Sequence, residues 1–192
     1  MTIYFATHNQ NKVKEIAKLL PDGMELRSLD ELNLTEEIPE TADTIEGNSL
    51  MKTQYVYNKH GVACFGDDTG LEVEVLDGAP GVYSARYAGP QKNSQDNMDL
   101  LLSKLEGKAS RKARFKTVIT YISETGATHQ FTGIANGIIT ETQSGQEGFG
   151  YDPIFQPDGF DTTFAEMSAE AKNRISHRAK AFEQLVNYLK QQ

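Results

Sequence analysis

Ile3-Tyr4-Phe5-Ala6 is an unbroken apolar run at the start of the chain, the pattern of a short buried strand. Thr7-His8-Asn9-Gln10-Asn11 follow, all turn or capping types. Val13, Ile16, Ala17 and Leu20 then recur at helical spacing, with Lys12, Lys14, Glu15 and Lys18 between them. Pro21-Asp22-Gly23 ends that helix. The opening thus predicts a strand, a loop and a helix, the unit from which α/β proteins are built.

Met24 to Ser28 reads as a weak second strand, and residues 29–43 as an acidic loop with Glu36, Glu37, Glu40 and Asp43 around Pro39. Thr44 to Lys59 reads as a helix with a poor start at Gly47. Val62 to Gly66 is a buried strand that ends at Asp67-Asp68-Thr69-Gly70. Leu71, Val73 and Val75 alternate with Glu72 and Glu74 and predict a separate, half-exposed strand. Residues 77–93 read as loop. Met98, Leu101, Leu102 and Leu105 place a helix over Asn97–Leu105. Phe115–Ile122 and Gln130–Ile139 read as strands joined by a hairpin at Glu124-Thr125-Gly126. Residues 143–161 form a Gly-rich loop, and Ile175, Ala179, Phe182, Val186 and Leu189 a helical stripe. With no repeat and no linker, the pattern predicts one α/β domain over residues 1–192 with a mixed sheet.

Composition narrows the function. The chain has 192 residues, with 19 basic against 27 acidic and a net charge of −8. A protein that grips nucleic acid by its phosphates carries a basic face, so no nucleic-acid partner is expected, while a local basic pocket for a small phosphorylated ligand stays open. The single Cys64 excludes a disulfide framework and a cysteine-built zinc site. No signal peptide and no membrane span are visible, so a soluble cytoplasmic protein is expected.

Five constellations could carry chemistry. Thr7, His8, Asn9, Gln10, Asn11 and Lys12 lie between a strand and a helix, where free N–H groups and the helix dipole suit phosphate; the same residues also serve simple capping by Asn9 or Asn11. Asp67 and Asp68 follow an apolar strand at the sheet end where α/β proteins bind ligands. Neighbours on a strand face opposite sides, so one acid faces a site and the other is pinned elsewhere; the alternative is an acidic β-turn. The acidic stretch Glu36 to Glu46 reads as a solvated loop from which one glutamate could join Asp68 in holding Mg²⁺. Phe149 and Tyr151, in Gly148-Phe149-Gly150-Tyr151-Asp152-Pro153, could stack on a base or simply tuck into the core. Lys172, His177 and Arg178 form a basic cluster on or beside the last helix, or a solvated helix face. Together the five describe a nucleotide, its phosphates and Mg²⁺.

Across almost its whole length the chain resembles the inosine triphosphatase family, pyrophosphatases of non-standard purine nucleoside triphosphates. The resemblance runs in order through Ala6-Thr7-His8-Asn9-Gln10-Asn11-Lys12, Asp67-Asp68-Thr69-Gly70-Leu71 and Gly78-Ala79-Pro80-Gly81-Val82-Tyr83-Ser84-Ala85-Arg86-Tyr87. It continues through Gly148 to Pro153 and Ile175-Ser176-His177-Arg178-Ala179. It implies hydrolysis of ITP, dITP and XTP to the monophosphate and pyrophosphate, a Mg²⁺ requirement and a homodimer. It implies an elongated mixed β-sheet flanked by helices, in two lobes with the nucleotide cleft between them. By the family pattern, Thr7 to Lys12 bind the triphosphate, and Lys12 is a catalytic candidate because its charge can be met by the leaving pyrophosphate. Asp68 is proton acceptor and metal ligand, and Thr69 contacts substrate. Phe149, Gly150, Tyr151 and Asp152 hold the base with Lys172, His177 and Arg178. Glu40 is the first candidate for the second metal ligand and Glu46 the next. Two positions depart from the pattern: Gly47 stands where a Glu is usual, and His8 where Gly or Ser is common.

Hydrolysis between the α- and β-phosphates needs an aimed water and cations for the leaving pyrophosphate. His177 and Arg178 are the candidate donors to a 6-keto purine edge, which adenine cannot satisfy. Two rivals remain: a pyrophosphatase of modified pyrimidine nucleotides, and a non-catalytic nucleotide-binding module. The second would gain nothing from the Asp68 carboxylate.

Overall fold

The computed structural model describes residues 1–192. Its main elements are, in chain order, β1 (Thr2–Phe5), α1 (Gln10–Ala17), β2 (Glu25–Arg27), α2 (Ile45–His60), β3 (Cys64–Val73), β4 (Pro80–Gly81), α3 (Ser94–Lys104), β5 (Lys112–Ile122), β6 (Thr128–Ile139), β7 (Phe155–Pro157), α4 (Ala169–Asn173) and α5 (His177–Leu189). The sheet order is β2-β1-β3-β5-β6-β7, with β4 paired to β3 off this path. β1 runs parallel to β2 and β3, setting Tyr4 opposite Cys64 and Phe5 opposite Phe65. β3–β4 and β6–β7 are antiparallel. The sheet is therefore mixed, as the alternation of helical and hairpin patterns predicted.

β3 corrects the reading of a strand, an acidic turn and a second strand. It runs unbroken through Asp67-Asp68-Thr69-Gly70. Cys64, Phe65, Leu71 and Val73 on either side are wholly buried, and buried backbone needs ladder partners that a turn would forfeit. Gly66 fits for a steric reason, since a Cβ there would come within 2.7 Å of Thr53 Oγ1.

The helices begin where side-chain caps stand. Asn9, Thr44, Asn93 and Ser168 each accept a backbone N–H from the first turn of α1, α2, α3 and α4. Gly47 does not weaken the start of α2, because its N–H donates to Thr44 Oγ1. Gly61 closes α2 in the left-handed region at φ 63°. α4 is too short to leave a periodic signal, and the stripe read from Ile175 belongs to a helix that starts at His177. The Gly-rich loop over 143–161 contains the short strand β7.

The chain forms two compact units. The first comprises Met1–Asp68, Thr117–Gly133 and Arg178–Gln192, and the second Thr69–Lys116 and Ile134–His177. Each has its own core. In the first, Phe5 stacks on Phe65 at 4.4 Å between ring centroids and Phe182 lies 5.7 Å from Phe65. In the second, Phe115, Phe155 and Phe164 pack with Leu71, Leu101 and Ile139. Full burial of one such ring contributes about 1.5–3 kcal/mol, so each unit has a substantial apolar centre beneath its polar residues. No helix is long and apolar enough to cross a membrane.

Candidate active site

Asp67 and Asp68 leave β3 into different company. Asp67 is 1% exposed; its Oδ1 accepts from Lys12 Nζ at 2.9 Å and its Oδ2 from Arg178 Nε at 3.1 Å. Arg178 Nη1 also donates to Glu15 Oε2. Burial pushes the Asp67 carboxyl up, yet Lys12, Arg178 and Lys52 together hold it well below the usual carboxylate range. Burial in turn lowers the Lys12 ammonium, against the pull of Asp67. Asp67 is thus the pinned acid of the pair.

Asp68 is the other kind. Its Oδ2 is buried and has no hydrogen-bond partner, and its Oδ1 lies 3.7 Å from Lys52 Nζ. Burial raises its pKa, with Lys52 and Lys12 opposing. Lys52 Nζ also donates to Glu40 Oε1 at 2.5 Å. Burial disfavours the Lys52 ammonium, but Asp68, Glu40 and Asp67 outweigh it and its pKa is raised. One buried lysine therefore joins the two acids singled out for a metal.

No group of three or more His, Cys, Asp and Glu residues is placed to hold a metal ion. Mg²⁺ does not need one, because it is commonly held by one or two carboxylates and substrate phosphates. The orphaned Asp68 Oδ2 and its link to Glu40 fit that donor set. Glu46 stands in the first turn of α2.

Lys52 escaped the sequence reading because a helical lysine usually reads as solvated. The signal was present in its neighbours. Asn48, Ser49, Lys52 and Thr53 share the buried face of α2 with Ile45 and Val56, so that face is polar where an ordinary amphipathic helix is apolar. Ser49 Oγ and Thr53 Oγ1 spend this polarity on Gly66 O, Thr120 and their own helix.

The N-terminal loop caps its helix. Asn9 Oδ1 accepts from the Asn11 and Lys12 N–H groups at 3.0 and 3.4 Å, and Thr7 Oγ1 from Asn9 N–H at 3.1 Å. His8 Nε2 donates to the Glu36 carbonyl at 3.0 Å. Gln10 and Asn11 are exposed, and Lys12 Nζ brings the loop's cation to Asp67.

The second unit holds most of the residues assigned to the base. Asp152 Oδ2 accepts from Phe149 N at 2.9 Å and from Lys172 Nζ at 2.7 Å, and both charged residues are buried. Gly148 stands at φ 74°, where any Cβ would collide with Asp152 Oδ2. Lys172 Nζ lies 5.1 Å from the centre of the Phe149 ring. The His177 ring stacks on Phe115 at 4.5 Å. Tyr151 is tucked into the core, its hydroxyl donating to Ser84 O at 2.7 Å, whereas Phe149 and Gly150 are half-buried. Thr69 is half-buried on β3.

Two expectations change. Lys172, His177 and Arg178 are buried, so they are not a solvated helix face. Arg178 also parts company with its neighbours: it joins Asp67 and Glu15 in the first unit, while Lys172 and His177 belong to the second.

Comparison with known proteins gives the chain's family. Residues 3–188 match the model of the Ham1 family. A dITP/XTP pyrophosphatase of Flavobacterium johnsoniae is 57% identical over 189 residues, covering 98% of each chain. One of Bacillus subtilis is 44% identical over 187 residues, covering 96% of this chain and 94% of its own. Among solved structures, a HAM1 protein from Coxiella burnetii superposes with a TM-score of 0.92 at 34% identity over 100% of both chains. The Staphylococcus aureus Ham1 protein gives 0.90 at 37% identity over 99% of this chain and 98% of its own. On its sequence and its fold alike, the chain belongs to the Ham1 family.

Proposed function

We propose that this chain is a nucleoside triphosphate pyrophosphatase that hydrolyses non-standard purine nucleotides (ITP, dITP and XTP) to the monophosphate and pyrophosphate, and so cleanses the nucleotide pool. The observation that carries the reading is Asp68 Oδ2, a buried carboxylate oxygen without a partner, beside Lys52. A buried polar atom left unpaired costs about 1–3 kcal/mol, and a proton-accepting role accounts for its retention. The dITP/XTP pyrophosphatases of similar sequence supply the substrate class.

Asp68 orients the attacking water and takes its proton. Its raised pKa brings it closer to neutrality, where a general base works best. Lys12 and Lys52 supply positive charge for the phosphate oxygens. Asp68 and Glu40 would hold Mg²⁺, which supplies further charge stabilisation to the phosphates and eases loss of a water proton. Phe149, Gly150, Asp152, Lys172 and His177 are assigned to the base, with the keto edge at position 6 as the feature read. Homodimer formation and a cytoplasmic setting are carried by the resemblance and the composition.

The test is incubation with ITP, XTP, GTP, ATP and modified pyrimidine triphosphates in the presence of Mg²⁺, with products identified. Monophosphate and pyrophosphate from ITP and XTP, far above ATP, support the reading. Preference for a pyrimidine, release of orthophosphate alone, or binding without turnover overturns it.

A further inference from the structure

The acidic segment before α2 reads in the sequence as a solvated loop, and in the structure it is tied down at Glu36, Ile38, Glu40 and Ala42. Ala42 N–H donates to Asn48 Oδ1 at 2.9 Å, and Glu40 Oε1 accepts from Lys52 at 2.5 Å. Glu36 Oε1 accepts from Tyr55 Oη at 3.0 Å and from Lys59 Nζ. The receiving residues Asn48, Lys52, Tyr55 and Lys59 are spaced four, three and four apart, which is one face of α2. The segment runs against the helix direction, from Glu36 at its end to Ala42 at its start.

Three further contacts fix the same segment. Ile38 is buried in a cluster with Leu29, Leu34 and Val56. His8 Nε2 donates to the Glu36 carbonyl at 3.0 Å, which ties the segment to the loop before α1. Gly47 leaves room for it, since a Cβ there would stand 2.7 Å from Ala42 Cβ. Both residues that depart from the family pattern, His8 and Gly47, therefore touch this strap.

Glu40 sits between the anchored ends. A carboxylate on a free loop would lose conformational entropy on taking up a cation, whereas one held at both ends has lost it already. We propose that residues 36–42 form a strap that presents the Glu40 carboxylate to a divalent cation, and that Glu36 is a positioning residue acting through Glu40. The proposal rests on the reading of Glu40 and Asp68 as the cation-holding pair.

The test compares the wild-type chain with Glu36→Ala, Glu36→Gln and Glu40→Gln. Two readouts are taken: binding of Mn²⁺ alone, followed by electron paramagnetic resonance, and the Mg²⁺ dependence of ITP hydrolysis. Glu36→Ala should weaken Mn²⁺ binding and raise the half-saturating Mg²⁺ concentration by about threefold to fivefold, the scale of losing a partly exposed ion pair that holds the segment. Its kcat at saturating Mg²⁺ should stay within about twofold of wild type, because a positioned ligand once filled does the same chemistry. Glu36→Gln, which keeps an acceptor for Tyr55, should recover part of the affinity. Unchanged Mn²⁺ and Mg²⁺ dependence in Glu36→Ala, with a clear loss in Glu40→Gln, overturns the strap and leaves the assignment of Glu40 standing. Unchanged cation binding in Glu40→Gln overturns both.

Discussion

Asp67 and Asp68 are neighbours on β3 with opposite electrostatic fates. Lys12 and Arg178 occupy both oxygens of Asp67, while Asp68 keeps one buried oxygen with no partner. The same burial that raises both carboxyls is overcome at Asp67 by three cations and survives at Asp68. One acid is a structural anion, and the other is available for chemistry.

Asp68→Asn should therefore cost turnover and spare the fold. Loss of a general base costs about 10²–10⁴-fold in rate. Asp67→Asn should cost stability more and turnover less, because it leaves Lys12 and Arg178 facing a neutral amide. Paired measurements of kcat and thermal unfolding for the two variants check this. A folded Asp68→Asn protein with near wild-type kcat contradicts the assignment. The raised pKa of Asp68 adds a pH expectation. In the metal-free protein its ionised form should be lost, as pH falls, at a higher pH than for a carboxyl near the ordinary value of about 3.9, and an NMR titration of the side-chain carboxyl with Asp68→Asn as control checks this.

Arg178 should matter first to stability. Its guanidinium is buried against Asp67 and Glu15, and removing one partner of a buried ion pair costs about 3–5 kcal/mol. Arg178→Ala should lower the unfolding free energy by that order, and Arg178→Lys should recover only part of it, since an ammonium cannot reproduce the fork geometry. Denaturant unfolding of both variants decides. An Arg178→Ala protein as stable as wild type that has lost only its ITP-over-ATP preference would return Arg178 to the base-reading role inferred from the sequence.

Much of this architecture was legible in the chain because its signals are local. The opening strand, cap and helix are written in Ile3 to Leu20, and the helical stripe of α3 in Met98, Leu101 and Leu105. β3 was illegible through Asp67-Asp68-Thr69-Gly70 because those residues favour turns in isolation, and the partners that keep them extended lie elsewhere in the chain. The acidic segment misled for a related reason: its anchors, Tyr55 and Lys59, are 19 and 23 residues beyond Glu36. Candidate site residues could be named where a motif carried them. Lys52 was not, since a lone helical lysine acquires meaning only when Glu40 and Asp68 are seen beside it.

The Glu36 contact also sets an acid limit on the strap. Lys59, the Glu36 backbone N–H and Tyr55 hold the Glu36 carboxyl down at about 2. His8 faces only its carbonyl. A depressed carboxyl contributes stability above its unfolded value, about 4.3, and loses it as pH falls through the folded one. The stability difference between wild type and Glu36→Gln should thus be constant from neutral pH to about pH 5 and shrink as pH falls toward 2. Unfolding at a series of pH values and fixed ionic strength measures it. A difference that grows on acidification would mean that the contact is not formed in solution.

The last expectation concerns the buried pair of the second unit. Asp152 and Lys172 are 3% and 5% exposed and 2.7 Å apart. Lys172→Met keeps the length and apolar packing of the side chain but takes a cation from the buried Asp152 carboxylate, which the Phe149 N–H still meets at 2.9 Å. Removing one partner of a buried ion pair costs about 3–5 kcal/mol, and the chain can reduce that cost by protonating Asp152 or by shifting the Phe149 loop. Either response disturbs Phe149, whose ring also loses the Lys172 cation 5.1 Å away. Lys172→Met should therefore lower Tm and raise KM for ITP more than it lowers kcat. Adding Asp152→Asn removes the buried carboxylate charge as well, so the double variant should regain much of the stability while KM stays high. If the double variant recovers KM along with Tm, the pair serves the fold alone and takes no part in holding the base.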